Sequence, residues 1–176
     1  MAGMRVLPVL RDARVADATR LCAAERSTAA AAAGRLIAEP EELLVASFQK
    51  RIAFMAEGAG GRGKYLVAEV DGRMVGHASL MPLPRKNIAH VVTLDICVHP
   101  GQSRRGYGRA MLSALLDWAR QRPEVRKVEL WVRASNHPAI ALYQGLGFVE
   151  EGRLRDHVRV ADGVFVDDVC FGLSVV

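Results

Sequence analysis

The chain has 176 residues, of which 51% are hydrophobic and 24% are charged, with a formal net charge of +5 and a pI near 9.5. This composition predicts one soluble globular domain over residues 1–176 and excludes a disordered chain. The basic residues are spread out, without a lysine-rich tail or interleaved aromatic residues, so the pattern does not favour nucleic-acid binding.

The cysteine and hydropathy patterns argue against a disulfide-rich, metal-binding, membrane-spanning or secreted protein. The three cysteines, Cys22, Cys97 and Cys170, are odd in number and lack metal-ligand spacing, which predicts no disulfide framework and no metal site. No segment reaches the roughly 20 apolar residues of a membrane span, and the N-terminus lacks the apolar core of a signal peptide. We therefore expect a cytoplasmic protein without a membrane partner.

The first part of the chain predicts a strand followed by two helices. Met4 to Leu10 is a short apolar strand, and Asp12 is a candidate cap for the helix that follows. Whether the alanine-rich segment from Ala29 to Gly34 continues that helix stays open. A second helix is predicted to begin at Glu39–Glu42, where a proline and acidic residues suit a first turn. Its predicted apolar face comprises Leu43, Leu44, Phe48, Ile52 and Met55.

The second part predicts two hairpins separated by strands and helices. Asp71-Gly72 suits a tight turn between strands Tyr65–Val70 and Met74–Met81. The later elements are, in order, strand Val91–Val98, a helix whose apolar face runs from Met111 to Ala119, strand Val125–Val132, helix Pro138–Gln144 and the hairpin strands Phe148–Val160 and Val164–Leu173. The order β-α-α-β-β-β-α-β-α-β-β predicts one mixed sheet with helices packed on it.

A basic, glycine-containing loop joins strand Val91–Val98 to the next helix. From Val98 to Ala110 the sequence reads VHPGQSRRGYGRA. A loop of this kind presents backbone N–H groups to an anion at the positive end of the helix dipole, and glycines let the backbone approach a bulky ligand. Met111 stands where a dinucleotide-binding motif needs a third small residue. The loop therefore predicts a phosphate site of another kind.

A second dense signal runs from Asn136 to Phe148, NHPAIALYQGLGF. Asn136 suits a helix cap, and a proline suits the first turn. Helical spacing places Asn136, Ile140 and Tyr143 on one face. A face that combines an amide, a branched apolar group and a phenol is unusual for a helix that only packs, and this predicts a functional helix.

Together the two segments resemble the GCN5-related N-acetyltransferases. The loop is similar to the acetyl-CoA pyrophosphate loop of that family, Q/R-x-x-G-x-G/A, with Ser103 at the usual Gln or Arg position. The later segment matches the signature N-x-x-A-x-x-L-Y-x-x-x-G-F at every fixed position. The resemblance implies an α/β (α+β) fold with a mixed, mostly antiparallel seven-stranded sheet flanked by about four helices.

The resemblance also implies acetyl-CoA as cosubstrate and no metal. Because Ser103 replaces the usual side chain, we expect backbone N–H groups of the loop to carry most of the binding, with the arginines as auxiliary charge. The expected cofactor-binding residues are Ile96, Cys97, Val98, Ser103, Arg104, Arg105, Gly106, Tyr107, Gly108, Arg109, Asn136, Ala139 and Tyr143.

Transfer of an acetyl group to an amine needs a base for the amine and an acid for the leaving thiolate. By resemblance, Tyr143 is the candidate acid; the alternative is a packing tyrosine. Asp95 is the candidate base, acting directly or through water, because a carboxylate in an apolar strand is costly unless it is used or paired. The alternatives are that Asp95 pairs with an arginine or orders a loop.

We expect no catalytic role for the remaining cysteine, histidine and acidic residues. Cys97 is interpreted as a small buried hydrophobe rather than a nucleophile. The histidines, His77, His90, His99, His137 and His157, are interpreted as unclustered. The paired acids Glu150-Glu151 and Asp167-Asp168 are interpreted as solvated charges or as partners of Arg153, Arg155 or Arg159. The alternative that they line an acceptor pocket for an amine stays open.

The sequence says least about the acceptor, the amine that receives the acetyl group. Val75-Gly76-His77, the strand Asp95–Val98 and the segment Gly163–Asp167 are similar to small-amine and amino-acid N-acetyltransferases, which implies a small primary amine. A protein N-terminus or lysine as acceptor, and a non-catalytic acyl-CoA-binding module, stay open as alternatives. The resemblance also implies a homodimer through the last strands.

Overall fold

In the computed structural model, which describes residues 6–31, 38–57 and 59–176, seven strands form one sheet. The strands are β1 (Val9–Asp12), β2 (Lys64–Val70), β3 (Arg73–Pro82), β4 (Val91–Val98), β5 (Lys127–Arg133), β6 (Val149–Ala161) and β7 (Val164–Ser174). The α-helices are α1 (Ala18–Ala31), α2 (Val45–Ala56), α3 (Tyr107–Arg120) and α4 (His137–Gln144). The predicted order of elements is confirmed.

The sheet has the order β1-β2-β3-β4-β5-β7-β6 and is antiparallel except between β4 and β5. The predicted mixed, mostly antiparallel sheet is therefore confirmed. The parallel pair is joined only where Val91–Thr93 meets Lys127–Glu129. Beyond that point the two strands separate, so the sheet opens at the C-terminal half of β4.

The helices cover the two faces of the sheet unequally. Helix α3 packs its buried residues, such as Met111 and Leu115, against Leu80 and Val92 on one face. Helices α1 and α2 pack on the other face, here called the α1/α2 face. Strand register places on that face Tyr65, Val67, His77, Ser79, Asp95 and Cys97.

Gly76 of β3 permits the close approach of α3 to the sheet. A Cβ atom at this position would lie 2.8 Å from Cε of Met111 and 2.9 Å from the carbonyl oxygen of Cys97. Both separations are shorter than non-bonded atoms tolerate. Glycine at position 76 therefore sets how closely the helix that follows the basic loop lies against β3 and β4.

The N-terminal region differs from the prediction. Strand β1 begins at Val9 rather than Met4, and Met4 and Arg5 of the predicted strand lie outside the described residues. Asp12 ends β1 and is not a helix cap. The N-cap is Arg14, at the start of a 3-10 turn that leads into α1, and the carboxylate of Asp17 in that turn accepts the backbone N–H of Arg14 at 2.8 Å. Helix α1 extends through Ala31, and the remainder of the alanine-rich segment is not described.

The predicted start of the second helix is also wrong. Pro40–Glu42 forms a single 3-10 turn, and α2 begins only at Val45, because Leu43 has an extended backbone. Leu44 is consequently 53% exposed and does not belong to the apolar face, whereas Phe48, Ile52 and Met55 are buried as predicted.

The outer strand β6 is irregular. It pairs with β7 through three register shifts, between Glu150 and Gly152, Leu154 and Val158, and Arg159 and Ala161. Asp156 lies within the second shift with a φ of 49°, and its N–H donates to Asp167 Oδ1 at 3.0 Å. The strand is therefore divided into short paired stretches.

Candidate active site

The basic loop ends at an uncapped helix N-terminus. Arg104 and Gly106 have φ values of 63° and 87°, and Gly106 is the N-cap of α3 without a side-chain cap bond. Among the described residues, hydrogen bonds use the N–H groups of Gln102 and Ala110 but none from Ser103 to Arg109. Unpaired N–H groups at the positive end of a helix suit an anion.

The side chains of the loop divide into two sets. Ser103, Arg104, Arg105 and Arg109 are exposed, while Tyr107 and Gly108 are buried at the start of α3. A Cβ atom on Gly108 would lie 3.3 Å from Cδ2 of Leu142, and the space beside Gly106 is open. The arrangement fits the pyrophosphate of a nucleotide-like ligand, with backbone donors at the centre and guanidinium groups around them.

The opening between β4 and β5 lies beside this loop. Ile96 and Val98 pair with Ala78 and Gly76 of β3, and neither pairs with β5. Their other strand edge therefore borders the opening, where an extended amide-containing chain can hydrogen-bond to the backbone. Cys97, between them, turns its side chain to the α1/α2 face.

Cys97 is a buried thiol, as predicted. Its Sγ lies 3.5 Å from Oγ1 of Thr28 in α1. Burial raises the pKa of the Cys97 thiol to about 12, against a smaller opposing effect of the Thr28 contact. A thiol that stays protonated at neutral pH is a poor nucleophile, so direct transfer suits this site better than an acyl-cysteine intermediate.

Helix α4 places an amide and a phenol near the opening. The side chain of Asn136 accepts the N–H of Ala139 at 3.4 Å and thereby caps the helix. The Tyr143 ring is buried against Phe148 and Phe171, at centroid distances of 5.9 Å and 6.4 Å. Burial, and to a smaller extent the charge of Asp95, raises the pKa of Tyr143. The phenol therefore keeps its proton at neutral pH.

Asp95 is less buried than its apolar strand suggests. Its side chain is 56% exposed, and its Oδ2 accepts a hydrogen bond from Nη1 of Arg51 at 2.8 Å. Pairing with an arginine was one of the alternatives for this residue. The pair joins α2 to β4 across the α1/α2 face, on the side of the sheet opposite α3.

Arg51 lies among aromatic rings, and one of these carries an unpaired polar atom. The Arg51 guanidinium stands 5.0 Å from the ring centroid of Phe48 and 5.6 Å from that of Tyr65. The Tyr65 hydroxyl is buried and has no hydrogen-bond partner among the described residues. Sequence reasoning missed both Arg51 and Tyr65.

A buried chain of polar side chains links α1 to the sheet. Oε1 of Glu25 lies 2.8 Å from Nε2 of His77, and Nδ1 of His77 lies 3.2 Å from Nε2 of His99. All three residues are buried. The expectation that the histidines are unclustered is therefore wrong for His77 and His99, because register on neighbouring strands brings them together. The signal was Glu25, which occupies the buried stripe of Ala18, Leu21 and Cys22.

The donors along this chain can be assigned. Nδ1 of His99 lies 3.2 Å from the carbonyl oxygen of Met74, which only accepts, so His99 donates from Nδ1. Burial, with a smaller effect of His77, lowers the pKa of His99 to about 4, and its Nε2 is therefore an acceptor. His77 must then donate from Nδ1. Since His77 Nε2 and Glu25 Oε1 are at hydrogen-bond distance, one proton lies between them.

The acidic pairs near the C-terminus behave differently from one another. Asp167 is paired with Arg153 at 3.3 Å, as predicted. Asp168 is fully buried, pairs with the buried Arg133, and accepts from Nδ1 of His157 at 2.9 Å. Its interpretation as a solvated charge is wrong, because Asp168 is buried and the β5–β7 register places it opposite the buried Arg133.

The described residues were compared with the requirements of a membrane span and of a metal site. None of the described helices is long and apolar enough to cross a membrane. In the same ranges, no group of three or more histidine, cysteine, aspartate or glutamate side chains is arranged to hold a metal ion.

Comparison with known proteins agrees with the fold and the two motifs. The model of the acetyltransferase (GNAT) family matches residues 24–148. The L-amino acid N-acetyltransferase AaaT of Escherichia coli is 33% identical over 104 residues, which are 59% of this chain and 64% of that protein. The N-alpha-acetyltransferase RimI of Mycobacterium tuberculosis is 37% identical over 109 residues, 62% of this chain and 66% of that protein. The matched segments thus span just under two thirds of both relatives.

Among solved structures, yncA of Salmonella typhimurium, described as a putative acetyltransferase with its cofactor acetyl-CoA, has the same fold. It superposes with a TM-score of 0.80 and 22% sequence identity, over 97% of this chain and 95% of that one.

Proposed function

Because the chain belongs to the acetyltransferase (GNAT) family, we propose that it is an acetyl-CoA-dependent N-acetyltransferase that acts on the primary amine of a small metabolite. The observation that carries the proposal is the opening between β4 and β5 beside the uncapped N-terminus of α3. The opening suits an extended thioester arm, and the helix N-terminus suits the pyrophosphate at its other end.

The residues around the opening divide the binding of acetyl-CoA between them. N–H groups from Arg104 to Arg109 hold the pyrophosphate, and the exposed loop arginines add positive charge. The free backbone edge of Ile96–Val98 binds the amide-containing arm. Asn136 and Ala139 border the arm at the start of α4, where Asn136 also serves as the cap. When bound, acetyl-CoA supplies the acetyl group as a thioester.

The chain's own residues handle the protons of the reaction. Asp95 receives a proton from the acceptor ammonium, directly or through water, so that the amine nitrogen has a lone pair for the carbonyl carbon. Tyr143, which keeps its proton at neutral pH, donates it to the sulfur as the carbon–sulfur bond breaks. Once bonded to the carbonyl carbon, the nitrogen loses its second proton to water, and Asp95 also returns its proton to water. Tyr143 takes one proton back from water, so the products are an amide and a thiol and one proton is released overall.

The proposal is tested by release of free CoA thiol from acetyl-CoA with a panel of amines. Tyr143→Phe is expected to lower kcat about 100-fold, the lower range for loss of a general acid, with little change in the Kd of acetyl-CoA. Unchanged turnover in Tyr143→Phe would remove the phenol from the mechanism. Binding of acetyl-CoA without thiol release for any amine or peptide would favour the acyl-CoA-binding module instead.

A further inference from the structure

We propose that Arg51, Asp95 and the hydroxyl of Tyr65 form the acceptor site, and that its ligand is a free, zwitterionic α-amino acid. The inference rests on the proposed N-acetyltransferase function and names the substrate class of that site. It separates a free amino acid from the N-terminus of a protein, because only the free amino acid carries a carboxylate next to its ammonium group.

The Arg51–Asp95 pair is open to solvent on its carboxylate side. The side chain of Asp95 is 56% exposed and that of Arg51 is 22% exposed, and exposed ion pairs stabilise proteins weakly. The two charges nevertheless face each other on the α1/α2 face, beside the strand edge that borders the opening. An incoming ligand with groups of complementary charge can therefore reach Asp95 and replace the single hydrogen bond of this pair.

Arg51 is oriented for a carboxylate. Its guanidinium is held near the rings of Phe48 and Tyr65, and among the described residues its only hydrogen bond runs from Nη1 to Asp95. A guanidinium has five N–H donors in a planar fork that matches the two oxygens of a carboxylate. Most of these donors remain available for a ligand.

The Tyr65 hydroxyl is the second, independent observation. Tyr65 is 3% exposed, and its hydroxyl has no partner among the described residues. A buried hydroxyl without a partner destabilises a protein. Burial raises the pKa of Tyr65 although the positive charge of Arg51 opposes the shift, so the phenol remains a donor. A carboxylate bound to Arg51 can accept this hydrogen bond.

The ammonium group of the same ligand is matched by Asp95. When the ligand carboxylate binds Arg51, the carboxylate of Asp95 is released to accept hydrogen bonds from the ammonium. Asp95 directly precedes Ile96, so the nitrogen is held beside the opening that receives the thioester. One ion pair and one zwitterion thus become two ion pairs without a change in net charge. An N-terminal peptide supplies only the ammonium and leaves Arg51 without an anion.

The first experiment compares three acceptors that share one N-terminal side chain: the best free L-amino acid of a panel, its amide, and a short peptide that begins with it. We expect kcat/KM to be at least tenfold higher for the free amino acid than for the other two. Arg51→Met is expected to lower kcat/KM about ten- to a hundredfold for the free amino acid only, as for a lost charged hydrogen bond. Arg122→Met, which removes another arginine that stands over an aromatic ring (Trp118, 5.3 Å), should have no effect.

The second experiment uses Tyr65→Phe. Because the hydroxyl has no partner in the protein alone, this variant should keep or raise the Tm without ligand, yet raise KM for the free amino acid. A merely structural tyrosine would change KM for all three acceptors alike. Equal kcat/KM for the free acid, amide and peptide, in wild type and Arg51→Met, would overturn the carboxylate site but leave the acetyltransferase intact. Failure of every acceptor to release CoA would overturn the proposed function itself.

Discussion

Gly106 and Ser103 contribute unequally to the phosphate loop. Gly106 has a φ of 87°, which an L side chain rarely adopts, and it aligns the first N–H groups of α3. Ser103 is exposed and contributes one short side chain at the position where the family pattern has Gln or Arg. The backbone conformation at Gly106 therefore matters more for anion binding than the side chain at position 103.

We expect Gly106→Val to weaken acetyl-CoA binding by about tenfold or more, because strain in the left-handed region is of order 1–3 kcal/mol. Ser103→Ala should change the Kd less than threefold. Isothermal titration with acetyl-CoA measures both values, and circular dichroism checks that the Gly106 variant is folded. Equal effects of the two substitutions would argue that side chains rather than backbone donors bind the pyrophosphate.

The residues that carry the candidate site differ in how far the sequence could predict them. Asn136 and Tyr143 lie in one short motif, so local spacing placed them on one helix, and their roles toward the cofactor stay predictions. Arg51 and Asp95 are 44 positions apart and come from different elements. Nothing local distinguishes Arg51 from other helix arginines, and only packing of α2 on the sheet identifies it. The unpaired hydroxyl of Tyr65 is likewise a property of the packed structure.

At the scale of elements, α1 is attached to the sheet by a link that depends on one proton. Glu25 and His77 share that proton, while His99 is fixed by the carbonyl of Met74. The link joins α1 to β3 and to the residue that follows β4. It therefore sets the position of the helix whose Thr28 contacts Cys97, next to the opening.

Glu25→Gln and Glu25→Ala test this assignment. Glutamine can donate an N–H to Nε2 of a neutral His77 and so preserve the link, whereas alanine leaves that nitrogen unpaired and buried. We expect Glu25→Ala to lower the free energy of unfolding by about 1–3 kcal/mol and Glu25→Gln to lower it by less. Urea denaturation measures both. A larger loss in the glutamine variant would show that the shared proton is wrongly assigned.

The pH dependence of stability follows from His99. Its pKa is lowered to about 4 from an ordinary value of 6.5 by burial, so between these values the unfolded chain binds more protons than the folded one. The stabilisation that depends on a neutral His99 is fully present above about pH 6.5. It decreases as the pH is lowered towards 4, and the free energy of unfolding changes no further through His99 below that pH. Urea denaturation at several pH values from 4 to 7 measures the free energy of unfolding. This free energy should depend less steeply on pH in His99→Gln than in wild type, and substitution of the exposed His90 by Gln serves as the control. The same pH dependence of the free energy of unfolding in wild type and His99→Gln would contradict the lowered pKa of His99.

The element boundaries show where sequence patterns stop being sufficient. The prediction for β4 was correct at both ends, because its apolar run and the following proline are unambiguous. The start of α2 was wrong because proline and acids also suit a 3-10 turn, and only the extended backbone at Leu43 separates the turn from the helix. Local signals thus located this turn but did not determine its length.

At the scale of the whole molecule, the order of elements along the chain was predictable from the sequence. The order of strands within the sheet depends on pairing between distant segments and is seen only in the folded structure. The sheet is held together across β4 and β5 by only three residue pairs. Its two halves are otherwise connected by helices that pack over the sheet. A ligand that bridges both strands and the start of α3 should therefore stabilise the whole fold.

We expect saturating acetyl-CoA to raise the Tm by several degrees. Binding to the native state alone adds about 2.7 kcal/mol at a ligand concentration 100 times the Kd. Differential scanning fluorimetry measures the shift, with adenosine as a control that lacks the pyrophosphate and the thioester arm. An absence of any shift with acetyl-CoA and CoA would contradict the cofactor site.

The irregular outer strand β6 has a consequence for self-association. An exposed edge of 13 residues would ordinarily offer a template on which another chain could add a strand and begin to aggregate. The three register shifts and the positive φ of Asp156 divide this edge into stretches too short for a continuous ladder. Another chain cannot extend an edge divided in this way as a regular ladder, so the outer edge of β6 is protected against fibre-like growth.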